Sequence, residues 1–507
     1  MKNAVSRYFG LIVSSFVVLA GCVGDSPATG VDAGDGSAPC SVGTKSCSGQ
    51  CVQVNDPKYG CDPVSCTACP ADTTKHQAPT CDTNAKCAFS TACDTGFGDC
   101  DANPANGCET STGTDVANCG TCKNTCGTTN TSAVACTAGK CAPTCAAGFS
   151  HCSTKDSDGC ETNTGATDAQ NCGACGHDCL GGVCAAGKCQ QLALATGISL
   201  PAAIAADSGP SGYVYFSDHS NDSVSPKAIW RASKTPPGNA AALFPNEPGP
   251  DCISQHVYAS GLTIVGTNLY WSIFAGGCHE LVRKGPKGGG SAVWLPATGT
   301  GWQGTSAITS DANSLFIATY NDTHNVAAID LATGTSRDLF FDVNTPNPFS
   351  AGLAADSLLT GNVFWTRNDG IFRIAKDGKS ARVTVSDYTT AIVVATDDTD
   401  AFFTEVGTHK MFKIPGAATC AAPASCAPVL LATGTYDGVS ILVDATYVYW
   451  STTNYSAGQV LRIHKDGSDK GTPTVIGTGT FPQQLAQDPT AIYWTDKGAS
   501  AVYKVAK

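Results

Sequence analysis

The sequence is short of charge, of methionine and of strong helix formers. Charged residues make up 14% of its 507 positions, against about 25% in ordinary soluble domains. The charge present is acidic, 42 Asp and Glu against 30 Lys and Arg, for a net −12. That argues against non-specific nucleic-acid binding, which needs a basic footprint. Two methionines among abundant Gly, Thr, Ala and Ser argue against a helical bundle or coiled coil. Long apolar runs are missing too. Tyr8 to Leu19 is about 12 residues long, too short to span a bilayer as a helix. Cysteine, in contrast, is abundant, with 29 copies.

The first residues read as an address. Lys2 and Arg7 form a basic n-region, and Tyr8–Leu19 has the length of a signal h-region. It closes on Leu19-Ala20-Gly21-Cys22, which resembles the lipobox of bacterial lipoproteins. The resemblance implies a signal peptide over 1–21, cleavage before Cys22, a diacylglycerol thioether on its sulfur and acylation of the new N-terminus. Several acyl chains exceed what stable membrane anchoring needs. Val23 in place of Asp resembles the default outer-membrane sorting signal of Gram-negative cells. The competing reading is a simple secreted protein with a free Cys22. Residues 22–39, rich in Gly, Ser, Asp and Pro, read as a flexible tether.

Without Cys22 there are 28 cysteines, and 24 of them lie between Cys40 and Cys189. They fall in three repeats of eight. One unit holds positions 93, 100, 108, 119, 122, 126, 136 and 141; the next holds 145, 152, 160, 172, 175, 179, 184 and 189. Flanking residues repeat as well: Gly107-Cys108-Glu109-Thr110 matches Gly159-Cys160-Glu161-Thr162, and Asn118-Cys119-Gly120 matches Asn171-Cys172-Gly173. A divergent unit carries 40, 47, 51, 61, 66, 69, 81 and 87. The repeat boundaries are about 40–92, 93–144 and 145–189. Units this small and this poor in apolar residues need staples, and in an exported chain the staples are disulfides. Eight cysteines allow 105 pairings, so connectivity stays open. Zinc, suggested by Cys119-x-x-Cys122 and Cys172-x-x-Cys175, is the weaker reading in an exported chain with an even count. Calcium is the other metal reading: Asp99, Asp101, Asn103 and Glu109 offer alternating oxygens. Pro104 replaces the glycine of an EF-hand loop and the next repeat lacks the pattern, so polar loop residues are the preferred reading. The units look like Cys-rich, Asn-Cys-Gly-type repeats of predicted Gram-negative lipoproteins, which implies an exterior stalk.

After Cys189 the composition changes to strand formers with period-2 alternation. A phrase of two aromatic or apolar residues followed by Ser or Thr recurs seven times: Tyr215-Phe216-Ser217, Tyr270-Trp271-Ser272, Phe316-Ile317-Ala318-Thr319, Phe364-Trp365-Thr366, Phe402-Phe403-Thr404, Tyr449-Trp450-Ser451 and Tyr493-Trp494-Thr495. The spacing, about 46 residues, is that of a four-stranded propeller blade. A strand with a basic residue follows most copies, as in Ile229-Trp230-Arg231 and Val460-Leu461-Arg462-Ile463; the third copy, Val326–Asp330, has none. Asp377-Gly378 and Asp466-Gly467 are expected in primed two-residue hairpin turns. Tyr493-Trp494-Thr495-Asp496 resembles the YWTD propeller repeat of receptor ectodomains. That family typically has six blades, so a six-bladed ring is the alternative to the seven counted here. The phrase itself reads as structural, its aromatics filling the wedge between blades.

The expected fold is therefore all-β: a seven-bladed propeller over 190–507 behind a disulfide-rich, loop-dominated region over 40–189. Since the seventh copy lacks an outermost strand, Leu192–Gly197 is expected to return and close the ring, burying Leu192 and Leu194. Cys420–Cys426 is expected as a local staple and Cys252–Cys278 as a clip on the long insertion between the first two phrases.

Catalytic motifs are scarce. Gly299-x-Gly301-x-x-Gly304 matches a dinucleotide fingerprint, but no helix follows and an inter-blade turn is preferred. Cys278-His279-Glu280 and Asp218-His219 could ligate a metal, but loop histidines on the surface are the default. Two readings result. The preferred one is a lipid-anchored cell-envelope protein, in the outer membrane of a Gram-negative cell, whose head binds a protein or glycan. The alternative is an exported propeller hydrolase or lyase with an axial metal, whose signature would be carboxylates and histidines converging at one mouth of the ring.

Overall fold

The structure, a computed structural model, describes residues 40–218, 228–245, 258–274, 282–295, 305–319, 326–341, 352–434, 436–454 and 456–507. Cys22, Cys252, Cys278, His219, His279, Glu280 and the Gly299–Gly304 phrase lie outside the described residues. By compactness the chain forms two units, one up to Gly113 and one from Thr114 to Lys507. The sequence suggested a division near residue 190, where composition changes. The third cysteine unit instead packs onto the propeller. Leu180 rests against a cluster containing Leu194, Val214 and Phe216, and Cys189 against one containing Tyr449 and Trp494.

All 24 cysteines from Cys40 to Cys189 are disulfide-bonded. The divergent first unit pairs Cys40–Cys51, Cys47–Cys66, Cys61–Cys81 and Cys69–Cys87. In order along the unit, that is first to third, second to fifth, fourth to seventh and sixth to eighth. The third unit repeats it as Cys145–Cys160, Cys152–Cys175, Cys172–Cys184 and Cys179–Cys189. The second unit shows Cys93–Cys108, Cys119–Cys136 and Cys126–Cys141 in the same places. A conserved pairing rule thus underlies units whose sequences differ widely. Buried apolar residues are nearly absent here; the first unit even buries Lys45, whose ammonium donates to the carbonyls of Gly60, Asp62 and Ser65 at 2.5, 2.8 and 2.6 Å.

Seven four-stranded antiparallel sheets follow, which removes the six-bladed alternative. Their inner strands are Ile204–Ala206, Tyr258–Val265, Thr305–Ser310, Leu353–Ala355, Ala391–Thr396, Asp437–Val443 and Pro482–Gln487, and each neighbours the next around a closed circle. Among the described residues helix is confined to three 3-10 turns, and no helix is long and apolar enough to cross a membrane. The seventh sheet takes its outer strand, Leu192–Thr196, from the start of the propeller sequence, pairing Leu192 with Lys504 and Thr196 with Ala501. The ring thus closes as the sequence suggested. Leu194 is buried and Leu192 only half-buried.

The recurring phrase occupies the second strand of every blade. Its second member is buried in all seven copies, from Phe216 to Trp494, and packs in the wedge between sheets. In five copies its closing Ser or Thr has a role the pattern alone did not reveal: its hydroxyl donates to the main chain in or just before the inner strand of the next blade. Ser217 reaches Ala259 O at 3.3 Å, Thr366 Ile392 O at 3.1 Å, Thr404 Gly438 O at 3.2 Å and Ser451 Gln483 O at 2.5 Å. Thr495 reaches Ala202 O at 2.7 Å and so stitches the seventh blade to the first. Ser272 shares a bond with Ser260 (2.9 Å), which in turn donates to Thr305 O at 2.9 Å.

One turn expectation is corrected. The connections after Gly370–Ala375 and Gly458–His464 run to Val383 and Thr474, too long for two-residue hairpins. Gly378 and Gly467 have φ of +69° and +78°, but Asp377 and Asp466 are not among the positive-φ residues, so a primed turn is not formed. Each Gly closes a turn instead, its N–H bonded to Ala375 O or His464 O. The preceding Lys376 and Lys465 are thereby freed for another task.

Candidate interaction surface

A ring of lysine–aspartate latches ties the blades on the side of the turns after the inner strands. Lys234, just past the third strand of blade 1, meets Asp488 of blade 7 at 2.6 Å. Lys287 of blade 2 meets Asp207 of blade 1 at 2.6 Å, and Lys376 of blade 4 meets Asp311 of blade 3 at 2.9 Å. Lys465 of blade 6 meets Asp397 of blade 5 at 2.7 Å, and Lys507 of blade 7 meets Asp444 of blade 6 at 3.0 Å. Always the lysine reaches back one blade. Lys234 also donates to Asp207 O and Gly209 O, and Lys376 to Asp356 O and Leu358 O, so each fastens its own blade's turn as well. Two seams have no such latch: between blades 2 and 3 Val265 stands where Asp would and Leu331 where Lys would, and between blades 4 and 5 Pro415 stands where Lys would, while Asp356 lies 3.4 Å from Lys376 of its own blade.

In blades 1, 6 and 7, where the phrase opens with Tyr and an Asp is present, the phenol hydroxyl joins the latch. Tyr493 donates to Asp488 at 2.8 Å and Tyr449 to Asp444 at 3.0 Å. Burial, reinforced by the adjacent carboxylate, pushes both phenols well above their ordinary range. For Asp488 burial acts to raise the carboxyl pKa, but the bonds from Lys234, Thr490 and Tyr493 outweigh it and hold the group below its usual value. The same balance, led by the lysine bond, applies to Asp311 and Asp397. These charges are consumed by architecture.

The axial channel was the place to look for converging catalytic groups. It is a cavity of about 210 Å³ lined by all seven inner strands, and its lining contains Ser, Gln, Gly and aliphatic residues without an Asp, Glu, His or Cys. Gln484 of blade 7 crosses it, Nε2 donating to Ser260 O of blade 2 at 2.9 Å. The arrangement can offer main-chain and hydroxyl groups; among the described residues it offers no general acid, base or metal ligand at the axis.

Other sequence candidates take these places in the structure. Asp218 is buried and accepts from Ala228 N at 2.6 Å and Trp230 Nε1 at 3.0 Å. Asp99, Asp101 and Glu109 gather their carboxylates within 4.8 Å of one another. Each accepts bonds from its own loop, such as Asn106 Nδ2 to Asp101 at 3.0 Å and Cys100 N to Glu109 at 3.3 Å. In the third unit Glu161 takes the place of Glu109. Burial acts against its charge, but the N–H groups of Cys152 and Ser153 and the His151 ring hold its pKa at about 2. Cys420 and Cys426 are disulfide-bonded across the short 3-10 turn Pro423–Ser425, beside a cavity of about 550 Å³ lined by Tyr388, Asp387 and Glu405.

A third cavity, about 490 Å³, was not visible in the sequence. It lies where residues 187–191, the end of the third cysteine unit and the start of the propeller sequence, meet blades 6 and 7. Gln191 builds one end: its carboxamide accepts from Thr478 N at 2.7 Å and donates to Thr478 O at 2.9 Å. His177 braces another, its ring bonded to Cys172 O at 2.5 Å and to the main-chain oxygen of Lys507 at 2.8 Å. Sequence reasoning missed this groove because its walls come from segments nearly 300 residues apart. A partial signal was there: Arg462, which lines it, is one of the recurring basic residues on the third strands.

No protein-family model matches the chain, and no curated protein matches it. Among solved structures it is similar to the crystal structure of the nidogen/laminin complex, with 16% identity over 43% of this chain and 77% of that one, and a TM-score of 0.34. At that identity and score the likeness decides nothing about function.

Proposed function

We propose that this chain is a lipid-anchored cell-envelope protein, held through Cys22, whose propeller head binds a protein or glycan at the end of a disulfide-stapled stalk. The observation that carries the binding reading is the axial channel. Among the described residues it is lined by seven strands without an ionisable side chain and bridged by Gln484, while the buried Lys234, Lys376 and Asp488 are matched in latches. An exported hydrolase or lyase built on this ring would need groups there for acid–base or metal chemistry. Twenty-four disulfide-bonded cysteines support an oxidising compartment. The anchor itself rests on Leu19-Ala20-Gly21-Cys22.

Two measurements test the reading. Cys22→Ser should abolish fatty-acid labelling and release the protein from membranes; undiminished labelling would sink the anchor. Screening the intact protein against envelope glycans and proteins, alongside a panel of hydrolase and lyase substrates, should give saturable binding without turnover. Turnover that resists mutation of any contaminant and follows the purified protein would favour the enzyme instead.

A further inference from the structure

The groove between the third cysteine unit and blades 6 and 7 differs in sign from the rest of the molecule. In a chain of net charge −12, its lining holds His177, Lys188, Arg462 and Lys507 and neither Asp nor Glu. Two of these groups are already used: Lys507 Nζ is matched by Asp444 at 3.0 Å, and the His177 ring is bonded on both nitrogens. The other two are not. Among the described residues neither Lys188 nor Arg462 forms an ion pair. Arg462 is half-buried, and its guanidinium lies over the Tyr447 ring, 4.7 Å from the centroid, which fixes its direction without neutralising it. Facing these cations are Val475, Ile476 and Val505, with Val475 40% exposed.

We propose that this groove binds an organic anion that carries an apolar body, the anionic head set between Lys188 and Arg462 and the body against Val475, Ile476 and Val505. A cation partly withdrawn from water gains most from an opposite charge supplied in the same place. An apolar wall gains from covering it at roughly 25 cal/mol per Å². A neutral hydrophobe would leave the cations unmatched, and a purely hydrophilic anion would leave the wall wet. The cavity size suits a small molecule or the side of a larger one, since such sites run from about 300 to 1,000 Å³. Strand addition fits less well. The outer strand Thr474–Gly479 carries a bulge opposite Val460/Leu461, a device that blunts edge pairing, and Gln191 already covers Thr478.

This deepens the reading of the head as a binding module and rests on it only for its biological purpose. The test uses the purified intact protein with 8-anilinonaphthalene-1-sulfonate as probe and the uncharged N-phenyl-1-naphthylamine as its matched control. The sulfonate should bind saturably at one site, about ten-fold or more tighter than the neutral dye, and decanoate should displace it. Lys188→Glu and Val475→Glu, both at exposed positions, should each weaken the sulfonate by about ten-fold at unchanged melting temperature. Absence of saturable binding, equal affinity for the two dyes, or wild-type affinity in Lys188→Glu would each overturn the proposal. Should Val475→Glu lower the melting temperature, Lys188→Glu decides alone, because Lys188 is exposed. A protein that binds the dye as expected yet captures no envelope partner would leave this site standing and remove the interaction-module reading; the converse result would do the reverse.

Discussion

Residues 40–189 and residues 190–507 face one problem and solve it in opposite ways. Both are chains of repeats too small to enclose a core alone. In the first region the buried clusters consist of the cysteines themselves, such as Cys119, Cys126 and Cys136, or Cys172, Cys179 and Cys184. In the second they are shared between blades: Phe316 of blade 3 packs with Trp365 and Phe372 of blade 4. One region substitutes covalent bonds for apolar area; the other borrows area from its neighbour and closes the circle so that every blade has one. Cross-links act on the unfolded chain, whereas wedge packing acts on the folded one. The two regions should therefore fail under different stresses.

Reduction should separate them most sharply. Each native disulfide in so small a unit is worth about 2–5 kcal/mol, so reductant should unfold the cysteine units outright. The propeller carries one described disulfide in its strands and turns, Cys420–Cys426, and should keep its far-UV spectrum and protease resistance. Limited proteolysis with mass mapping reads this directly. Cleavage spread evenly over both regions would break the contrast, and so would several free thiols in denatured, unreduced protein.

The next largest effect lies in the latches. Lys234 and Asp488 are fully buried at their side chains, so Lys234→Met strands a carboxylate and should cost about 3–5 kcal/mol. Acid should act on the same groups. The folded pKa values of Asp488, Asp311 and Asp397 lie below their ordinary values. The stability they confer is thus complete above the usual carboxylate range and is lost as pH falls through the depressed folded values. Melting temperature should be flat near neutrality and drop below about pH 4. Lys234→Met should start lower and fall less, since Asp488 loses the lysine bond that lowers its pKa. An unchanged acid slope in that variant would detach Asp488 from the effect.

Ring closure gives a smaller figure. Leu194 sits in the returning outer strand and is buried. Leu194→Ala should cost about 2–3 kcal/mol, the low end for a core leucine, while Leu192→Ala, half-buried, should cost less. Equal and negligible losses would mean that the returning strand is ornamental to the ring.

Much of this was legible in the residues. The seven phrases fixed the blade number, because every blade needs its own aromatic wedge, and the missing strand after Val502–Val505 pointed to Leu192–Thr196. The latches were half legible. Lys376 and Lys465 stood out, but as parts of Lys-Asp-Gly turns, and the aspartates at 311, 397, 444 and 488 recur on the same period. Their pairing is offset by one blade, and a repeat alignment stacks equivalent residues without showing which copies touch. The groove was illegible for a related reason: Lys188 and Arg462 belong to two different repeat systems, and no period connects them. The disulfide rule was illegible because spacing limits pairings without selecting one.

The smallest expected effect tests whether the phrase's hydroxyl matters at all or merely fills space. Thr495 is buried, and its hydroxyl donates to Ala202 O at 2.7 Å across the seam that closes the ring. Valine has nearly the same shape but no donor, so Thr495→Val preserves packing and leaves the Ala202 carbonyl short of a partner. The net loss for a buried neutral bond is about 1–2 kcal/mol, well below the latch. Thr495→Ser keeps the donor and drops a methyl, so it isolates packing from bonding. Thr404→Val makes the same change at Gly438 O, 3.2 Å away, in an ordinary internal seam. If the hydroxyls act as stitches, the two valine variants should lose similar amounts and the serine variant less. A larger loss at Thr495 would mark the seam joining blade 7 to blade 1 as the weakest point of the ring, since there the chain's own continuity does not help hold neighbouring sheets together.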